Sequence, residues 1–206
     1  YIADGHHRAA SAVKVALKRR AEHPDYKGTE EFNYFLSVLF PEEELRILPY
    51  NRVVADLNGE SPADLLLALD QAFTIRDNGE TVLTPGKKGD VGMYLDGHWY
   101  ALCVREELRE EDPVEGLDVS FLQNLVLTPL LGIEDPRTSE RIRFIGGIRG
   151  SEELERLVDQ KGGVAFLMYP TQMEELLSVA DAGLLMPPKS TWFEPKLRSG
   201  LFIHTL

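Results

Sequence analysis

The sequence predicts an α+β protein (mixed α/β), with a central mixed sheet and flanking helices. Three observations lead there. Residues 91–95 and 98–104 are β-like runs on either side of Asp96-Gly97, a pair suited to a tight hairpin turn. Strand-like and helix-like segments alternate through the last third of the chain. Near the start, Ala9, Ala12, Val13, Ala16 and Leu17 recur at the spacing of one helix face.

Taken in order, residues 1–3 read as the end of a strand, and Asp4-Gly5 turns the chain into the first helix. Arg19, Arg20 and His23 suit the negative end of that helix dipole, and Pro24 closes it. A chain that opens inside a strand–turn–helix unit without Met reads as the C-terminal part of a longer protein. Phe32, Tyr34, Leu36, Val38 and Phe40 alternate with more polar neighbours over part of the run, and the aromatic content favours a strand, with a helix as the alternative. Residues 45–48 and 52–54 look extended around Pro49. Ser61 caps a helix over 61–72, with Pro62 where a missing N–H costs nothing and Asp64 completing a capping box. Short strands follow at 73–76 and 81–83.

After the hairpin comes a charged connector, residues 105–116. Residues 119–131 carry helical periodicity, with Asp118 as cap. Then come a strand at 142–145, a helix at 151–160, a strand at 164–169 and a helix at 171–182. Thr171 and Glu174 make a second capping box. The connector divides the chain into residues 1–110 and 111–206, unless the whole is one continuous domain.

Composition narrows the function. Acidic residues number 34 against 22 basic, giving a formal charge of −12 over 206 residues. Duplex DNA as a main partner needs clustered Lys and Arg, and here they are scattered among carboxylates. A local phosphate pocket needs only one Arg and one helix start. No apolar run approaches the roughly 20 residues of a membrane span. The single cysteine, Cys103, excludes an internal disulfide framework and a cysteine-rich zinc site, and fits a cytoplasmic protein. Its place in a predicted strand makes it a small core residue.

Two segments carry the richest chemistry. In Asp4-Gly5-His6-His7-Arg8, Gly5 lets backbone N–H groups approach a ligand, and the helix start favours an anion. Arg8 can grip phosphate oxygens bidentately, His6 or His7 can donate or move protons, and Asp4 can hold a metal ion or orient a histidine. The same pattern is also an ordinary strand–glycine–helix start. Adjacent histidines point to different helix faces, so no two-histidine metal site forms there. The second segment, residues 184–196, puts Lys189, Ser190 and Thr191 beside Trp192 and Phe193. It reads either as a phosphate-binding stretch or as a chain crossing pinned by aromatics. Arg52, in Pro49-Tyr50-Asn51-Arg52, either joins the same pocket or pairs with a surface carboxylate. Gly86-Lys87-Lys88-Gly89-Asp90 resembles a phosphate loop in composition, but it lacks the Walker spacing and a following helix and reads as a hairpin turn. His98 belongs to the hairpin and His204 to the tail.

The string Ile2-Ala3-Asp4-Gly5-His6-His7-Arg8, followed by Ala12, resembles the signature of domain-of-unknown-function family 1015. Residues 47–54, residues 117–122 with 129–133, and residues 186–196 with Ser199-Gly200-Leu201 resemble further stretches of that family, in its order. The family resembles the ParB/sulfiredoxin-like superfamily, in which a Gly-x-x-Arg turn at a helix start binds nucleotide phosphates. The resemblance implies that Gly5, His6, His7 and Arg8 form the phosphate loop. Sulfiredoxin has a Cys where this chain has His6, so sulfinic acid reduction is not expected. Partition proteins carry a helical DNA-binding domain after the loop, where this chain is acidic and β-rich. The free-serine kinases of the superfamily share the Asp-Gly-His-His-Arg string, and their general base lies upstream of it. The resemblance therefore implies a nucleotide-dependent phosphotransferase acting on a small amino acid such as serine. Its cofactors would be ATP or ADP with Mg²⁺, with Asp4, His6 and His7 catalytic. Gly5, Arg8, Arg52, Lys189, Ser190 and Thr191 would bind phosphate or nucleotide. The alternative is a non-catalytic nucleotide or phospho-metabolite binding protein.

Overall fold

A nine-residue strand, β1 (Arg46–Val54), occupies an inner position of a seven-stranded sheet. The computed structural model describes residues 1–198 and 200–205, so Ser199 of the C-terminal signature lies outside the described residues. Two compact units are present: residues 1–46 with 193–206, and residues 47–192.

In the second unit the helices are α2 (Pro62–Leu69), α3 (Asp118–Leu122), α4 (Glu152–Lys161) and α5 (Met173–Asp181). The strands beyond β1 are β2 (Phe73–Asp77), β3 (Asp90–Leu95), β4 (His98–Val104), β5 (Ile142–Gly146) and β6 (Val164–Met168). Their order is β2-β4-β3-β6-β1-β5, and the neighbours run antiparallel. A last strand, β7 (Thr191–Glu194), pairs with β1 where the chain leaves this unit. The α+β class holds, and Asp96 and Gly97, at φ of 50° and 81°, close the β3–β4 hairpin. The alternation β5-α4-β6 also holds, but its two strands are not neighbours. Both pair antiparallel with β1, Val54 facing Ile142 on one side and Val164 on the other. They are thus parallel to each other with β1 inserted between them.

Alternate side chains along each strand serve two cores. On one face Val54, Met93, Leu102 and Phe166 pack with Leu65 and Leu69 of α2, Phe121 and Leu122 of α3, and Val179 of α5. On the other, Val53, Tyr94, Trp99 and Ala165 pack against Leu154, Leu157 and Val158 of α4. Two polar ties reinforce that second layer: the Tyr94 hydroxyl donates to Asp159 at 2.8 Å, and the Trp99 indole N–H to Glu155 at 2.7 Å. Gly146 is required by a close approach, since a Cβ there would lie 2.4 Å from the Trp192 ring.

Several expectations are corrected. Residues 45–48 and 52–54 form one strand, because Pro49 sits just beyond the register that pairs Tyr50 with Gly146 and removes no ladder bond there. No strand covers residues 81–83. The helix expected over 119–131 is α3 followed by a π-helical turn, Gln123–Leu127, which widens the backbone hydrogen-bond ring by one residue. Leu117, not Asp118, is the cap of α3. The last capping box uses Gln172 and Glu175, one residue beyond the expected pair. Ser61 does cap α2, accepting from the Asp64 N–H at 3.2 Å.

The first unit holds α1 (His6–Glu22), a 3-10 turn at Glu31–Asn33 and another at Glu42–Glu44. The run from Phe32 to Phe40 is not a strand. The Glu30 carboxylate instead collects the N–H groups of Lys27 and Gly28 and the Asn33 amide, which fixes a local turn. Arg20 adds a bond from Nε to Asn33 Oδ1 at 2.7 Å, tying α1 to that turn. Tyr34, Phe35, Leu36 and Leu39 are exposed, as are Val13 and Leu17 of α1.

The second layer yields a test. Leu154 is fully buried under the sheet, so Leu154→Ala is expected to cost about 2–5 kcal/mol. Urea unfolding followed by the fluorescence of Trp99 and Trp192 reads this directly, as a lower midpoint at unchanged slope.

Candidate functional site

The residues singled out by the sequence fall into both units. In the first, Gly5 is the N-cap of α1 and adopts the left-handed conformation (φ 87°, ψ 24°). This lets the chain turn sharply into the helix. No side chain caps that helix start, and no acidic residue occupies its first turn. The N–H groups at the helix start therefore lack the acceptors that capping normally supplies. The Gly5 N–H is taken by Asp4 Oδ1 at 2.7 Å, and the Ala9 N–H returns to the Gly5 carbonyl at 2.9 Å.

Arg8 folds its guanidinium back over the glycine. A Cβ on Gly5 would meet the Arg8 guanidinium nitrogens at 3.0 and 3.1 Å. His6, His7 and Arg8 are all exposed. Lys196, from the returning C-terminal segment of the same unit, reaches Asp4 Oδ2 at 3.4 Å. Partial burial works against the Asp4 charge, but the Gly5 N–H, Lys196 and Arg8 together hold its pKa below the usual value. Asp4, Gly5, Arg8 and Lys196 thus form one cluster at a helix start, with two cations to one carboxylate, which is the arrangement that attracts an anion.

In the second unit Arg52 is 3% exposed and hydrogen-bonds the carbonyls of Tyr50 and Lys189. The surface carboxylate that sequence reasoning offered as one partner is not among its contacts. Its guanidinium lies 5.5 Å from the centre of the Phe144 ring. Lys189, in the left-handed region at φ 56°, is exposed and stands 5.4 Å from the Tyr50 ring centre. Ser190 is buried and donates to the Pro187 carbonyl, while its own carbonyl accepts from Thr171. Thr191 is half-buried in β7. Of this segment, then, Lys189 faces outward and the Ser190 hydroxyl turns inward.

Sequence reasoning missed one titrating centre. Asp118 Oδ1 accepts the Gly89 N–H at 2.8 Å, in a buried position. Burial pushes its pKa up to about 7 against the Gly89 bond, with Glu175 and Asp90 adding repulsion and Lys88 opposing it. Lys88 pairs with Glu175 at 2.6 Å, and Cys103 donates its thiol hydrogen to Asp90 at 2.9 Å. The hairpin turn expected at residues 86–90 is not one, because no strand directly precedes it and β3 pairs with β4 and β6; the chain does turn there, and the turn delivers Gly89 to Asp118. A capping Asp and a buried Asp look alike in sequence, because both precede an apolar run. Among the described residues, no group of three or more His, Cys, Asp or Glu side chains is arranged to hold a metal ion, and no helix is long and apolar enough to cross a membrane.

Residues 1–120 match the family described as "Protein of unknown function (DUF1015)". The chain belongs to that family. The matched stretch contains the DUF1015 chain's Gly5 turn, Arg52 and Asp118. No curated protein matches it. Among solved structures it is similar to "Free serine kinase" variants in complex with AMP (13% identity, TM-score 0.46) and with ADP (13%, TM-score 0.45). Each match covers 93% of this chain and 66% of the other, so the DUF1015 chain spans less than two thirds of those proteins.

Asp118 gives this site a pH signature. Its folded pKa of about 7 lies above the ordinary value of 3.8, so the folded state holds the extra proton between those two values. Stability is then highest at the acid side of that window and falls as pH rises through it, levelling off above about 7. Asp118→Asn, which keeps an acceptor for Gly89, is expected to flatten this slope in thermal unfolding measured across pH.

Proposed function

We propose that the DUF1015 chain binds nucleotide phosphate at the Gly5 turn and takes part in nucleotide-dependent phosphoryl transfer to the hydroxyl of a small amino acid such as serine. One observation carries the reading: the Arg8 guanidinium lies across a left-handed glycine at an uncapped helix start. Backbone N–H groups, the helix dipole and a bidentate cation then act on the same small volume. Phosphoryl transfer asks for little beyond such positioning and charge neutralisation.

In the transfer, the acceptor hydroxyl oxygen forms the new bond to the γ-phosphorus, and the bond to the departing ADP oxygen breaks. The hydroxyl proton passes to a base. Arg8 and the N–H groups following Gly5 would hold phosphate oxygens. His6 and His7, exposed at the helix start, would contact the phosphoryl group or the hydroxyl. Asp4 is the single carboxylate of the turn. Mg²⁺ keeps several waters and takes one or two carboxylates, so it would fit at Asp4 Oδ2 if Lys196 moved aside. Bound there, it would neutralise charge on the nucleotide phosphates.

A second reading is a nucleotide or phospho-metabolite sensor. It is favoured by the exposure of His6 and His7, since an imidazole that moves protons is usually oriented by a fixed partner.

ATP, ADP and AMP are each expected to raise the melting temperature, by an amount equivalent to about 2.7 kcal/mol at a hundredfold excess over Kd. Arg8→Ala should remove that shift. Incubation with ATP and L-serine, followed by phosphorus NMR, separates the readings: O-phosphoserine supports transfer, and binding without product supports the sensor. No shift with any of the three nucleotides, with or without Mg²⁺, would overturn both.

A further inference from the structure

None of the residues from 1 to 46 is buried. Both apolar cores lie in the second unit. The first unit instead leaves large apolar side chains in water: Val13 and Leu17 of α1 are 53% and 58% exposed, and Leu36 and Leu39 are 52% and 89% exposed. Side chains that stay in water return nothing toward the entropy lost in ordering the chain. Clustered apolar surface of this kind marks a place where another surface packs.

Local geometry defines two patches. On α1, Ala10, Val13, Leu17 and Ala21 follow one another at three and four residues, so they form one stripe along the helix. All four are exposed. Lys14 and Lys18 each follow an apolar member of the stripe by one residue, about 100° round the helix, and so line one flank of it. The second patch is the exposed run Leu36, Val38, Leu39 and Phe40. After Pro41 it passes straight into the 3-10 turn Glu42–Glu44, whose three residues are exposed. One patch is thus apolar with a cationic flank, and the other is apolar with an anionic end.

These charges are available for a partner. Lys14, Glu42, Glu43 and Glu44 enter no ion pair among the described residues. Both patches are exposed, so they do not cover each other within one copy. Complementary patches on one molecule that do not meet internally can meet across a two-fold axis, where each copy uses both. The charge distribution favours this unit for the contact. The chain carries −12, yet the first unit has nine Lys and Arg against nine Asp and Glu. Two copies meeting there bring together surfaces with no net charge.

We infer that the first unit is the interface of a two-fold dimer of this chain, in which the α1 stripe of each copy packs on residues 36–44 of the other. Val13 and Leu17 lie against Leu39 and Phe40 of the second copy, and Lys14 and Lys18 face its three glutamates. Each copy contributes both patches, which brings the contact toward the roughly 20–30 residues a side of a stable interface. None of these residues belongs to the Gly5 turn, and nucleotide binding there can hold or fail without the dimer.

Sedimentation equilibrium of the whole chain tests this. At about 100 μM a species of twice 23.2 kDa is expected. Leu17→Glu and Leu39→Glu, both at exposed positions, should each weaken it at least about tenfold, with tryptophan fluorescence unchanged. Charge reversal then reads the pairing itself. Lys14→Glu with Lys18→Glu sets acid against acid at both contacts of a homodimer, and Glu42→Lys with Glu43→Lys and Glu44→Lys sets base against base. Each of these two variants is expected to be monomeric alone. Mixed in equal amounts they should form a heterodimer, because both contacts are then matched. A chain that stays at 23.2 kDa, an assembly larger than two copies, a dimer indifferent to Leu17→Glu or Leu39→Glu, or a mixture that stays monomeric would each overturn the inference.

Discussion

The fold of the second unit depends on a strand that has no free edge along Arg52, Val53 and Val54. β1 is flanked there by β5 and β6, so every group on those residues must find its partner inside. For Val53 and Val54 this means apolar packing, one on each face of the sheet. The polar residues Asn51 and Arg52 bond to the main chain, though the buried Asn51 Nδ2 is left without a hydrogen-bond partner among the described residues. Asn51 Oδ1 accepts the Met168 N–H at 3.1 Å, which ties β6 to β1 beyond the end of their ladder. Arg52 reaches the Lys189 carbonyl and so fixes the exposed, left-handed Lys189 in its place. Local rules do not favour a polar pair in an inner strand. Both residues hold neighbouring chain in place from within the sheet, which makes β1 its organising strand.

Much of this architecture was legible in the sequence. Strict local signals held wherever the physics is local: the Asp96-Gly97 turn, the Ser61 cap, and the helical spacing of Ala9 to Leu17, although α1 buries none of its residues. The errors arise where a distant segment decides. The aromatic alternation from Phe32 to Phe40 met the criterion for a strand, but the Glu30 carboxylate organises a turn at its start. Residues 142–168 read correctly as strand–helix–strand. Nothing in their composition announces that β1, far earlier in the chain, would lie between the two strands. The π-helical turn was hidden for a related reason, since its apolar residues keep a nearly helical spacing.

The candidate sites divide in the same way. Gly5 and Arg8 are three residues apart in sequence, and a helix start brings such neighbours together, so their contact follows from local structure. Arg52 could be named but not assigned. Whether an arginine is paired depends on which carboxylates the topology brings near it, and spacing does not encode that. Asp118 was recognised as an acidic helix start and missed as a buried acid, because its burial is made by the loop that carries Gly89.

The first unit is assembled from both ends of the described chain, with residues 47–192 emerging between its two pieces. During synthesis α1 leaves the ribosome ahead of the second unit, and Lys196 can meet Asp4 only once that whole unit has been translated. The charge balance of the Gly5 turn is therefore set after the second unit is made. A nascent chain stalled inside the second unit would carry the glycine and the arginine already joined by their helix, with the aspartate still lacking its lysine.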